Sequence, residues 1–148
     1  MSDRSTGALP SEVAAYLAGL IDGEGTITLS RRHANERRQL VVSVVNTERE
    51  ILEWVLAEIG AGKLTRKRTV SERHAPSFTY SISNRQALAL LRDIEPYLRS
   101  YKRRRARLAL ETYLAVTPRN GKYTVALDAA RTKFELDFLS LKAAGTRT

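Results

Sequence analysis

Two acidic side chains lie among glycines at residues 22–25, which read Asp-Gly-Glu-Gly. A carboxylate is a hard oxygen ligand, and Mg²⁺ usually binds one or two protein carboxylates while water and phosphate oxygens complete its coordination shell. If a second copy of the chain brought its own Glu24 to the same place across a two-fold axis, the two like charges would repel one another unless a cation lay between or beside them. These residues therefore predict a divalent-metal site around Glu24.

The carboxylates follow an apolar segment that predicts a helix from about Ser11 to Asp22. Small side chains recur on one side of this helix, which would allow a second helix to approach closely. We therefore expect a homodimer whose interface includes Ala15, Ala18, Gly19 and Asp22. Gly23 and Gly25 allow the chain to turn out of the helix, with positive φ where needed. The alternative is an ordinary core helix that ends at glycine and carries two surface acids without a role.

Residues 17–25 read Leu-Ala-Gly-Leu-Ile-Asp-Gly-Glu-Gly and resemble the signature of LAGLIDADG homing endonucleases. Seven of the nine residues are identical; Gly23 replaces an alanine and Glu24 replaces the second aspartate. The resemblance implies an intron-encoded, site-specific, Mg²⁺-dependent endonuclease that cuts both strands of DNA. Because the chain contains one copy of the motif, the second half of the active site must come from another subunit. The resemblance thus implies a homodimer on a long, pseudo-palindromic site.

The resemblance also implies roles for single residues. Glu24 would be catalytic and would bind the metal, and Gly23 would offer its backbone carbonyl as a further metal ligand. Lys102 matches the basic residue that approaches the scissile phosphate, with Arg103 as a weaker companion. Asn46 falls near the polar position that orders active-site water. Asp22 is expected to support the end of the helix rather than to bind metal.

Length and composition limit the classes of protein to which the chain can belong. We take its 148 residues as one domain, with residues 1–9 loose and residues 117–148 forming a C-terminal turn and helix. The formal charge of +9 and the pI near 10.2 favour a nucleic-acid partner. The absence of Cys excludes disulfides and thiolate metal sites. The longest apolar run, Val13–Ile21, is too short to span a bilayer and is not a signal peptide. We therefore expect an intracellular protein without membrane contact or small-molecule cofactor.

The hydrophobic pattern alternates between strand and helix periods in the order α-β-β-α-β-β-α-α-α. Ile27, Leu40 and Tyr80 belong to the alternating apolar positions of the strands. One long helix is expected from Tyr97 to about Val116, and a last helix from Tyr123 to Ala144. The pattern predicts an α+β fold in which helices cover one face of a four-stranded antiparallel sheet. By resemblance, the sheet is curved and its other face binds DNA.

The strand residues between the apolar positions should face away from the helices. They are donors and acceptors of middle length that suit base edges in a major groove. All are uncharged or basic, whereas a merely solvated face usually mixes both signs. The candidate DNA-binding residues are Thr28, Ser30, Arg32, Gln39, Ser43, Lys63, Thr65, Lys67, Ser77, Thr79 and Ser81.

Six basic residues and no acid lie between Arg99 and Arg107. Like charges this close repel one another, and positive charge near a helix N-terminus opposes the helix dipole. We expect DNA phosphates to relieve both effects.

Three functions remain open on the sequence alone. The first is the Mg²⁺-dependent homodimeric endonuclease. The second is a cleavage-inactive protein of the same fold that binds DNA or acts as an intron RNA splicing maturase. The third is a basic ribosome-associated protein, for which a self-complementary helix face has no use.

Overall fold

The computed structural model describes residues 8–67 and 76–144. Of residues 1–9, which are predicted to be loose, residues 1–7 lie outside the described part. Within these residues, nine helices and strands follow one another in the predicted order, and two short 3-10 segments lie at Glu95–Tyr97 and Leu114–Val116. The nine elements are α1 (Ser11–Glu24), β1 (Gly25–Ser30), β2 (Gln39–Asn46), α2 (Arg49–Ile59), β3 (Lys63–Lys67), β4 (Ser77–Ser83), α3 (Asn84–Ile94), α4 (Lys102–Thr112) and α5 (Val125–Ser140).

The four strands form one antiparallel sheet in the order β1-β2-β4-β3. The alternating apolar side chains of the strands are buried beneath the helices, as their period predicts. The α+β prediction is confirmed. The buried strand residues are Ile27, Leu29, Leu40, Val42, Val44, Tyr80 and Ile82.

The strand β1 begins directly where α1 ends, and Gly25 makes this junction fit. A Cβ atom on Gly25 would lie 2.8 Å from Cα of Ile21 and 3.0 Å from the carbonyl oxygen of Ser43, which is closer than atoms in proteins pack. The φ of Gly25 is −105°. The junction therefore needs no positive φ at this glycine: Gly25 is needed for space, not for a left-handed backbone.

The predicted helix from Tyr97 to about Val116 is wrong at its N-terminal end. Toward the C-terminal end, α4 stops at Thr112 and a short 3-10 segment continues to Val116. Leu98 is extended, with φ −70° and ψ 141°, and α4 begins only at Lys102. The backbone N–H groups of Arg99 and Ser100 donate to the carboxylate of Asp22. This carboxylate orders the connection between α3 and α4 in a non-helical form.

The last helix is shorter than predicted and is anchored by a buried arginine. The hydroxyl of Thr124 accepts a hydrogen bond from the backbone N–H of Leu127 and caps α5. Arg131 is 2% exposed and contacts the rings of Tyr113 and Phe134. Val125 is 90% exposed because it lies in the first turn, before the helix reaches the core. None of the helices within residues 8–67 and 76–144 combines the length and apolarity needed to cross a membrane.

Candidate active site and the polar sheet face

Glu24 and Asn46 meet where α1 and β2 both end. Nδ2 of Asn46 donates to Oε2 of Glu24 at 2.7 Å. The side-chain oxygen of Asn46 accepts from the backbone N–H of Glu48 at 2.8 Å, so the asparagine amide is held in one orientation. The structure thus places the predicted acid beside the predicted polar residue. They line a shallow concavity of about 260 Å³ with Val45, Thr47 and Ser77.

Asp22 supports the helix end within its own chain. Its carboxylate accepts hydrogen bonds from the backbone N–H of Arg99 at 2.8 Å and from the hydroxyl of Ser100 at 2.5 Å. Burial would raise the pKa of Asp22, but these hydrogen bonds and the nearby charge of Lys102 outweigh burial and lower the pKa. Both oxygens are used inside the chain, which matches helix-end support; a dimer contact by Asp22 stays a prediction.

Lys102 is buried and points at the end of α1. Its Nζ donates to the carbonyl oxygens of Ile21 at 2.8 Å and Asp22 at 3.0 Å. A cation at this position stabilises the negative end of the helix dipole. Burial lowers the pKa of Lys102, an effect that the charge of Asp22 opposes. Since an ammonium has three donors, one donor is left after these two bonds within the described part of the chain.

Several members of the basic segment have partners within the chain. Arg103 Nε lies 2.8 Å and Arg107 Nε 3.4 Å from Oε2 of Glu95. Arg105 is 7% exposed and donates to backbone carbonyls, with Nη1 2.9 Å from the oxygen of Ile27. Glu95 and backbone carbonyls therefore accept hydrogen bonds or ion pairs from these three arginines. Contact between Arg103 and DNA stays a prediction.

The polar side of the sheet is a continuous surface made by all four strands. In one row, Thr26 pairs with Ser43, Ser43 with Ser81, and Ser81 with Lys63. None of the four strands contains an acidic residue. The predicted strand residues follow this register, and Lys67 joins it by its backbone pairing with Ser77; the side chain of Lys67 lies outside the described part.

Several features of this face differ from the sequence prediction. Arg32 lies beyond the end of β1, in the connection to β2. Thr26 and Ser83 also lie on this face. The strand alternation indicates both, because Thr26 is two residues from Thr28 in β1 and Ser83 is two residues from Ser81 in β4. Val45 is apolar and 42% exposed, so the face is not uniformly polar. At one end the surface is concave, with a volume of about 200 Å³ lined by Ser30, Arg31, Arg32, Gln39, Val41, Lys63, Ser81 and Ser83.

The exposed side of α1 carries little side-chain bulk. Ala15, Gly19 and Gly23 are exposed, and a Cβ atom on either glycine would meet nothing within 4 Å. Ala18 is completely buried, so the prediction that it lies in a dimer interface is wrong. The helical period turns Ala18 toward the core together with Leu17.

An exposed aromatic pair lies next to this side of α1. The rings of Tyr16 and Trp54 meet edge to face with their centres 5.1 Å apart, and both side chains are large and more than one-third exposed. Trp54 on α2 therefore contributes to the protein surface.

The chemistry for holding a metal is limited to a few oxygens. Within residues 8–67 and 76–144, no three His, Asp or Glu side chains form a group that could bind a metal ion. Glu24 offers one carboxylate oxygen beyond the one that Asn46 contacts. Gly23 lies in the last turn of α1, where backbone carbonyls have no partner in the helix. A divalent cation with a mostly water and phosphate shell fits such a donor set.

Comparisons with known proteins identify relatives of both the sequence and the fold. A family model described as a LAGLIDADG-like domain matches residues 11–95. No curated protein matches at a significant level.

Among solved structures, the homing endonuclease I-CvuI in complex with its target superposes with a TM-score of 0.72 at 21% identity, over 93% of this chain and 87% of that chain. The archaeal intron-encoded homing endonuclease I-Vdi141I, complexed with DNA, gives a TM-score of 0.69 at 18% identity, over 93% and 88% of the two chains. The homing endonuclease I-GzeII, in complex with its DNA target, gives 0.65 at 11% identity, over 90% of this chain but only 46% of that chain. These likenesses show a shared fold.

The family match covers more than half of the chain and includes the motif at residues 17–25. The strand order and the helix that carries this motif agree with the same assignment. The chain therefore belongs to the LAGLIDADG-like domain family.

Proposed function

We propose that the protein is a site-specific DNA endonuclease that acts inside the cell as a homodimer and hydrolyses a phosphodiester in each strand of a long, pseudo-palindromic site. The observation that carries the proposal is the position of Glu24. This carboxylate is exposed, is held by Asn46, and lies where an acid-free sheet face meets a helix whose outer side is open.

The sheet face supports a duplex DNA partner. A two-stranded ribbon fits the major groove, and hydroxyl, amide and amine groups can read base edges there. The described part of this face offers such groups in register on neighbouring strands, from Thr28 on β1 to Lys63 on β3. I-CvuI and I-Vdi141I, which share the fold, are described as complexes with DNA.

A second copy of the chain would complete the active site. One chain provides one Glu24, whereas cutting both strands requires two reaction centres. Ala15, Gly19 and Gly23 form an open strip on α1 that a copy of the same helix fits by two-fold symmetry. The chain matches 46% of I-GzeII, a proportion consistent with two copies doing the work of one longer chain.

A divalent cation, with Mg²⁺ as the expected ion, would be held by Glu24 and the carbonyl of Gly23. When bound, such an ion supplies a Lewis acid and lowers the pKa of a bound water. I-CvuI has been crystallised with DNA in the presence of Ca or Mg. Asn46 fixes the Glu24 side chain, and Lys102 keeps the end of α1 in place while its third N–H can donate to a phosphate oxygen that gains charge during the reaction.

A cleavage-inactive protein is the second candidate. Glu24 is one methylene longer than the aspartate of the signature, and one of its oxygens is already bound to Asn46. A carboxylate in this position could fail to hold a catalytic metal while the sheet still bound DNA or intron RNA.

Cleavage by a Glu24→Gln variant tests the proposal. A target is first selected from a randomised DNA library by binding to the parent protein, and is then placed in a supercoiled plasmid. With Mg²⁺, the parent should cut both strands. Glu24→Gln should bind the target equally, since glutamine still accepts from Asn46, but should cut at least about 100-fold more slowly.

Glu111→Gln is the matched control, because Glu111 is exposed on α4 and distant in the chain from the motif. It should cut like the parent. A Glu24→Gln protein that cuts at the parental rate would refute the role of Glu24. A parent that binds the selected DNA but leaves it intact with Mg²⁺ would favour the cleavage-inactive candidate.

A further inference from the structure

A third concavity lies at the end of the sheet opposite to Glu24. Its volume is about 570 Å³, and the described residues that line it include five arginines and no carboxylate. We call it the arginine basin and define it by Arg37, Arg38, Arg85, Arg119 and Arg131. Two of these arginines lie beyond residue 95, where the family match ends, so the C-terminal part of the chain helps to build the basin.

Three of the arginines hold the basin together. Arg131 forms its floor and donates to the backbone oxygen of Arg38 at 2.6 Å and to the hydroxyl of Thr117 at 2.6 Å. Arg37 is paired with Asp128. The carboxylate of Glu135 lies 3.0 Å from Nε of Arg131 and 3.9 Å from Nε of Arg38, the third of these arginines.

Two arginines on the rim keep donors that the described residues do not use. Arg85 donates through Nη2 to the backbone oxygen of Thr117 at 3.2 Å, and its remaining N–H groups make no bond within the described part of the chain. Arg119 is exposed in a turn, and no described residue pairs with its guanidinium. Only two carboxylates among the described residues, those of Asp128 and Glu135, pair with the five arginines. The basin therefore retains an excess of positive charge.

The basin is continuous with the polar sheet face. Gln39 and Ser83 line both the basin and the 200 Å³ concavity of the sheet. They are the outer end residues of two neighbouring strands, since Gln39 begins β2 and Ser83 ends β4. A rod-like ligand that follows these strands away from Glu24 must pass over or beside the basin.

We propose that the arginine basin binds backbone phosphates of the DNA duplex where the duplex leaves the sheet face. The inference rests on the proposed function and adds to it a site that holds the outer end of each half-site. Arginine suits phosphate because its planar guanidinium can donate two parallel hydrogen bonds. Such contacts fix the position of the duplex without reading its sequence.

The length of β2 sets the expected position of these phosphates. The strand has eight residues and runs from Gln39 at the basin to Asn46 beside Glu24. At about 3.3 Å per residue this is roughly 25 Å, or about seven base pairs at roughly 3.4 Å each. The contacted phosphates should therefore lie about seven base pairs or slightly more from the phosphodiester that Glu24 approaches.

The test compares Arg119→Ala with the parent on the selected DNA target at several salt concentrations. Each lost phosphate contact should lower the slope of log K against log salt by about 0.9, so that over a fourfold rise in salt the variant loses about 3.5-fold less affinity per protomer than the parent. Arg119→Lys should retain most of the parental slope. Arg92→Ala is the matched control, because Arg92 is exposed on α3 and does not line the basin; it should behave like the parent.

Neutral methylphosphonate substitutions locate the contact. In the parent, replacing a phosphate about seven base pairs from the cut by a methylphosphonate should weaken binding a few-fold. In Arg119→Ala the same replacement should not weaken binding further. If parent and variant have equal salt slopes and equal sensitivity to the methylphosphonate, the basin does not bind phosphate. The sheet would remain a DNA-binding surface. A parent that binds no duplex would instead refute the proposed function. An Arg119 dependence seen with structured RNA alone would overturn the assignment to DNA.

Discussion

Replacing Gly19 by leucine should separate the fold of one protomer from the assembly of two. Gly19 lies in the interior of α1, and a Cβ added there meets nothing within 4 Å. Leucine has a helix propensity better than that of glycine by roughly 0.8 kcal/mol. The free energy of unfolding of the monomer should therefore stay the same or rise by up to about 1 kcal/mol.

The same substitution should weaken the proposed dimer. Where two copies of α1 pack closely, an inserted side chain costs about 1 to 3 kcal/mol, and two-fold symmetry places one in each protomer. A total of about 2 to 6 kcal/mol corresponds to a dissociation constant raised roughly 30-fold to 20,000-fold. Cleavage of both strands should fall with it, because each reaction centre then lacks its partner.

Sedimentation velocity over a range of protein concentrations measures the dimer, and urea unfolding at low concentration measures the monomer. Ala89→Leu is the control, since Ala89 is an exposed helical position on α3 and should change neither quantity. A Gly19→Leu protein that dimerises with the parental dissociation constant would refute the helix-to-helix interface. A monomer destabilised by several kcal/mol would instead show that the side of α1 is not open.

Two further predictions concern the end of α1. Lys102→Met leaves the carbonyls of Ile21 and Asp22 without their cation, so we expect a loss of about 2 to 4 kcal/mol in unfolding free energy, measured by urea denaturation; an unchanged value would contradict the helix-end role. Asp22→Asn should cost about 1 to 2 kcal/mol at neutral pH, allowing for partial exposure. Because the folded pKa of Asp22 lies below its ordinary 3.8, the stabilisation is present above that pH and is lost as the pH falls through the folded pKa. The difference in unfolding free energy between parent and variant should therefore shrink below pH 3.8. An equal difference at acid and neutral pH would contradict the stabilising role of the ionised Asp22.

The elements that were predictable from sequence are those with a local signal. The strand period placed Ile27 and Leu40 in the core, and Gly60 ends α2 in a left-handed conformation with φ 76°. The segment before α4 has no such signal. Residues 97–101 have helical character by themselves, but the carboxylate of Asp22, 77 residues away from Arg99, binds their N–H groups. A helix boundary set by a distant side chain cannot be read from a local pattern.

The same limit applies to charged side chains. Arg103, Arg105 and Arg119 are indistinguishable by type, but Arg103 pairs with Glu95, Arg105 is buried against backbone carbonyls, and Arg119 is exposed. Charge density along the chain favoured the segment from Arg99 to Arg107 as the phosphate-binding surface. The fold instead engages several side chains of that segment with Glu95 or with backbone carbonyls, and collects other arginines, distant in sequence, at the outer end of the sheet.

The position of Glu24 depends on contacts that surround it rather than on the acid itself. Gly25 lets β1 lie against α1, Lys102 stabilises the last carbonyls of α1, and Asn46 holds the side chain. These contacts come from three separate parts of the chain and meet at one helix end. Because a displacement of about 1 Å can lower a reaction rate 100-fold, variants of Lys102 that leave the fold intact should still affect cleavage through Glu24. The substitutions Lys102→Arg and Glu24→Gln should therefore be non-additive when combined.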